Sequence, residues 1–101
     1  MKVYFGESLD DMIRELRARG ISSVRVHALQ EVGANALTVT THVTTLCGNQ
    51  IYESVIPHQY DLQNIDPQEE ETFVRQACEE ERDKIAEKLS GFEIRAGILQ
   101  E

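Results

Sequence analysis

His27, His42 and Glu53 are the side chains of this sequence best suited to holding a ligand. Two imidazoles and a carboxylate could bind zinc or iron, or a small polar molecule. Their spacing matches no paired-ligand motif: there is no His-x-x-x-His and no Cys-x-x-Cys. Cys47 follows His42 by five residues, and a thiol beside an imidazole becomes a nucleophile when a third group orients the pair. No third group is in place, and no Ser/His/Asp order occurs. Gly6 and Gly20 are isolated, and Gly91 and Gly97 read as a helix stop and a turn, so no phosphate-cradling loop is present. Cys78 falls on a predicted helix, where a buried thiol is ordinarily inert. No catalytic residue, cofactor or metal is assigned on this reading.

These side chains are positioned by a run of predicted strands. Residues 22–31 alternate with period two, residues 36–46 form a longer strand, and residues 50–56 return after Gly48-Asn49, a two-residue hairpin turn. Pro57 argues for a strand end or a sheet edge. With Gly48-Asn49 at one turn, paired residue numbers sum to 97; with Gly33-Ala34 at the other, they sum to 67. Val24, Val26, Ala28, Val39, Thr41, Val43, Thr45, Tyr52 and Ile56 then share one face, and a slip of one residue would break that segregation. The opposite face carries Arg25, His27, Leu29, Thr38, Thr40, His42, Thr44, Glu53 and Val55. Under this register Arg25 faces His42, which works against a cation site, and Thr44 faces Glu53.

Two helices flank the strands. Leu9, Met12, Ile13 and Leu16 fall at i, i+3, i+4, i+7, predicting a helix over 9–19 that Ser8 starts and Gly20 stops. Asp66, Pro67 and Glu69 start a second helix with the expected N-cap, N1 and capping-box residues, running to about Leu89. Its apolar stripe is Phe73, Val74, Ala77, Cys78, Ile85 and Leu89. Its acids are expected to be a solvated face, partly balanced by Glu71–Arg75, Glu80–Lys84 and Glu81–Lys88. Residues 2–5 and the segment holding Phe92, Ile94, Ile98 and Leu99 suggest short terminal strands or a packed tail. The order (β)-α-β-β-β-α-(β) predicts one α+β domain over 1–101. It is a two-layer sandwich whose three-stranded antiparallel meander has both helices on its apolar face.

Composition narrows the function classes. The net charge of −8 is uneven: residues 1–25 carry four acids and five bases, residues 26–65 three acids and no base, and residues 66–101 eleven acids and five bases. Such a chain repels phosphate backbones and anionic lipid, so neither nucleic acid nor a membrane is an expected partner. Double-stranded RNA-binding domains share the order α-β-β-β-α, but they place a basic helix start on phosphates, and here Asp66, Glu69, Glu70 and Glu71 open the second helix. No apolar run approaches the ~20 residues of a membrane span, and the opening residues lack a secretory pattern. Two cysteines with no forced pairing fit a reducing compartment, so a cytoplasmic location is expected.

The expected function is that of a small acidic, non-enzymatic protein acting through protein contacts as a regulator, adaptor or subunit. Leu29, Val55 and Leu46 interrupt the polar sheet face with apolar side chains, so dimerisation through this face or an edge strand is expected. The alternatives are a small-ligand or metal-binding module using His27, His42 and Glu53, and an acidic inhibitor that imitates nucleic acid.

Overall fold

The computed structural model describes residues 1–100. Helix α1 (Leu9–Ala18) buries the apolar face read from its spacing, Leu9, Met12, Ile13 and Leu16. Ser8 contributes no side-chain cap; Asp10 and Asp11 instead set negative charge in the first turn, against the positive end of the helix dipole. The helix ends in a complete Schellman motif: Ile21 N–H donates to Leu16 O (2.9 Å) and Gly20 N–H to Arg17 O (3.1 Å). Gly20 supplies the positive φ of 72° that this reversal requires.

Strands β2 (Ser23–Val32), β3 (Ala36–Cys47) and β4 (Gln50–Asp61) form the antiparallel meander. The β3–β4 register is the one expected from Gly48-Asn49, with Cys47 opposite Gln50 and Thr45 opposite Tyr52. The β2–β3 register differs from the expected one by two residues, since Val26 lies opposite Val43 rather than Thr41. Ala34-Asn35, not Gly33-Ala34, turns this hairpin, closed by Gly33 N–H donating to Ala36 O at 2.8 Å. Gly33 does not take a positive φ. It serves a close approach instead, because a Cβ there would sit 3.3 Å from Ala36 O. A shift of two leaves every side chain on its expected face, because the side-chain period is two.

The sheet is wider than the meander. β1 (Lys2–Tyr4) runs parallel to β4, and β5 (Glu93–Ala96) runs parallel to β2, giving the order β1-β4-β3-β2-β5. Both added strands are short. β1 reaches Glu53 and β5 reaches Val26, so one half of the sheet has five strands and the half toward the 34-35 turn has three.

The second helix opens with a single 3-10 turn (Pro67–Glu69), capped by Asp66 Oδ1 accepting from Gln68 N–H at 2.9 Å. It continues as α2 (Glu70–Lys88). Both helices cover the same sheet face. Under the five-stranded half, α1 and the end of α2 meet Val24, Val26, Val43 and Tyr52. Under the three-stranded half, Val74 and Ala77 of α2 meet Leu37, Val39 and Leu62. The result is an elongated two-layer body of 47 × 26 × 19 Å. No helix is long and apolar enough to cross a membrane among the described residues.

Candidate functional site

All nine residues expected on the polar face lie on the side of the sheet away from the helices, as the strand alternation dictates. The two-residue shift changes who faces whom. His27 stands opposite His42, and Arg25 stands opposite Thr44, so the opposition of Arg25 and His42 expected from the sequence is corrected. Arg25 is occupied elsewhere: its guanidinium donates to Ala96 O at 2.8 Å.

The face is not uniformly open. After β5 the chain turns at Gly97 (φ 102°) and lies back over the five-stranded half, where Leu99 N–H donates to the Thr44 hydroxyl at 3.1 Å. Thr44 is fully buried and Glu53 is 3% exposed. The Glu53 carboxylate has Lys2 Nζ at 3.8 Å and His42 Nδ1 at 3.5 Å. The latter contact is an ion pair whenever the imidazole carries its proton, and neither His42 Nδ1 nor Glu53 Oε2 makes a hydrogen bond. The adjacent hollow, about 370 Å³, is lined by Leu29, Gln30, Glu31, Thr38, Thr40 and His42, and not by Glu53. Among the described residues no group of three or more His, Cys, Asp or Glu side chains is arranged to hold a metal ion.

The three-stranded half is different. His27, Thr38, Thr40 and Val55 are half-buried there, and Leu29 is exposed. His27, Leu29, Thr38 and Thr40 therefore remain accessible as a group, while Arg25, Thr44 and Glu53 are engaged by the protein's own ends.

A second polar cluster lies on the helix side and escaped the sequence reading. Tyr60 donates its hydroxyl to Glu81 Oε1 at 2.8 Å, with His58 Nδ1 at 3.5 Å and Lys84 Nζ at 3.7 Å from the same oxygen. The Tyr60 ring meets His58 edge-on at 4.6 Å and Phe73 at 5.9 Å. Burial, and after it the hydrogen bond to Glu81, pushes the Tyr60 phenol well above its ordinary range. Glu81 is 6% exposed. Two signals in the sequence point to this cluster. Ala77, Glu81 and Ile85 fall at i, i+4, i+8, which sets the carboxylate inside the apolar stripe. The Gly48-Asn49 register also carries His58 and Tyr60 to the helix side.

Of the expected helix ion pairs, Glu80–Lys84 is formed at 3.4 Å. Lys84 rather than Lys88 approaches Glu81, and among the described residues Glu71 and Arg75 form no ion pair. Both cysteines are free. The Cys78 thiol, raised above its ordinary range chiefly by burial, touches Gln30 Oε1 at 3.4 Å, which is not the setting of an activated nucleophile. Comparison with known protein families, with curated proteins and with solved structures yields no match.

Proposed function

We propose that this protein is a non-enzymatic regulator, adaptor or subunit that acts through protein–protein contacts, self-association among them, with the three-stranded half as its contact region. One observation carries this reading. The chain's own ends engage Arg25, Thr44 and Glu53 in the five-stranded half, although Leu46 (60% exposed) stays open there, whereas in the other half Leu29 (46% exposed) lies beside half-buried His27, Thr38 and Thr40 as an accessible group. On the other side of the same strand Val32 is 48% exposed. Large apolar side chains near threonines on a rigid sheet suit a protein partner better than a diffusing small molecule. Two free thiols fit a cytoplasmic setting.

A concentration series of amide NMR spectra tests the reading. Residues 28–40 are expected to shift with concentration while 2–5 and 93–99 stay fixed. Shifts confined to the five-stranded half would place the contact elsewhere, and no shifts at all would remove self-association.

A further inference from the structure

We propose that two copies of this chain pair antiparallel along their β2 edges, residues 28–32, across a two-fold axis at Gln30. This rests on the protein-contact reading above and names both its partner and its route.

The backbone supplies the first argument. On the β5 side of β2, Ser22 O accepts from Glu93 N–H at 2.7 Å; on the β3 side, Gly33 N–H donates to Ala36 O. Successive residues of a strand direct their amides to alternate sides. Even-numbered residues of β2 therefore point toward β5, and odd-numbered ones toward β3. β5 stops opposite Val26, so among the described residues no strand lies beside Ala28, Gln30 and Val32. Antiparallel pairing with Gln30 opposite Gln30 of the second copy sets Ala28 opposite Val32. Every outward amide then meets another outward amide. The segment 28–32 contains no proline and no lysine, the residues that commonly block an edge.

The helix supplies the second argument. A groove of about 610 Å³ runs between the β2 edge and α2, lined on the helix side by Glu71, Arg75, Glu79 and Arg82 among others. These four alternate in sign along one flank, and none forms an ion pair within the chain among the described residues. A two-fold axis at the middle of the flank sets Glu71 against Arg82 and Arg75 against Glu79 of the second copy, every pair opposite in sign. The contact of Cys78 Sγ with Gln30 Oε1 at 3.4 Å places that midpoint beside Gln30, so one axis serves strand and helix together.

Spacing supplies the third. α2 packs over both β2 and β3. With strands about 4.8 Å apart, its axis lies near one strand spacing from the dyad, which brings the two α2 helices about 10 Å apart, an ordinary packing distance. β5 and the 34-35 turn limit the pairing to these five residues.

Sedimentation velocity at up to about 0.5 mM is the test. The wild type is expected to dimerise. Arg75→Glu with Arg82→Glu should weaken dimerisation by about tenfold or more and leave the circular dichroism melt in place. Adding Glu71→Arg and Glu79→Arg should restore it. In a chain carrying Cys47→Ser and Cys78→Ser, Gln30→Cys should give a disulfide-linked dimer on mild oxidation, because residue 30 would face its own copy at a Cα distance of about 5.5 Å. A dimer that withstands the double charge reversal and gives no Gln30→Cys cross-link overturns this edge and leaves self-association standing. A wild-type monomer throughout overturns both.

Discussion

The three-stranded half has two free edges, and the protein treats them differently. On β4, the last contact to the N-terminal segment is Val55 N–H donating to Gly6 O at 2.8 Å. The next residue on that side is Pro57, which has no N–H to offer. Beyond it on that side, Gln59 and Asp61 keep their amides, so Pro57 interrupts this edge at one position. On β2, the corresponding stretch is Ala28, Gln30 and Val32, with every amide intact and a charge-alternating helix flank beside it. One edge is interrupted by a proline and the other keeps all its amides. Open edges invite uncontrolled assembly, so under the proposed β2 pairing a break in the β4 edge would help limit assembly to two copies.

The largest effect on this contrast should come from the small core beneath both edges. Leu37 is fully buried there against Val39, Leu62, Val74 and Ala77. Leu37→Ala is expected to cost about 2–5 kcal/mol in a chemical melt. If the two halves unfold separately, amide exchange in Leu37→Ala will rise at Leu29, Glu31, His58 and Tyr60, whose amides face β3, and hold at Val24 and Val26. Equal loss everywhere would show the halves to be one cooperative unit.

A smaller effect is expected beside the β4 edge. Tyr60→Phe leaves the buried Glu81 carboxylate without its hydroxyl donor and should cost about 1–3 kcal/mol. The same variant bears on pH. Tyr60 binds its proton more tightly folded than unfolded. Its contribution is therefore fully present below the ordinary phenol value of about 10 and is lost as pH rises above it. Melting temperature should fall more steeply above about pH 10 in the wild type than in Tyr60→Phe; parallel curves would show that Tyr60 is not the group responsible.

The smallest effect on the monomer, within about 0.5 kcal/mol, is expected from Pro57→Val. Its value lies in the assembly state. Restoring an N–H to the β4 edge should let species larger than a dimer appear in light scattering. An unchanged dimer would show that Pro57 is not what limits assembly at that edge.

Much of this was legible in the sequence. The faces of the sheet followed from alternation, and they survived a wrong turn assignment because the error was an even number of residues. Gly33 misled because it was placed in the turn itself, whereas it sits one residue before the turn and lets a carbonyl approach. The five-stranded width was only partly legible, since parallel strands as short as β1 and β5 are fixed by distant neighbours rather than by their own pattern. The tail over Thr44 was illegible for the same reason: Gly97 permits many directions, and only the folded sheet selects one. Glu81 was hidden by its company, counted with Glu79, Glu80 and Asp83 as surface charge although its helical spacing places it inward.

The bond between Tyr60 and Glu81 also has an optical consequence. The chain has no tryptophan and three tyrosines, so tyrosine is its only strong intrinsic fluorophore. A phenol hydrogen-bonded to a carboxylate emits weakly, because the excited ring passes its proton or charge to the acceptor. Tyr60 is therefore expected to be dark in the native protein and exposed Tyr4 bright. Separation of α2 from β4 would switch Tyr60 on, so a rise in tyrosine emission would report the opening of this half without any added label.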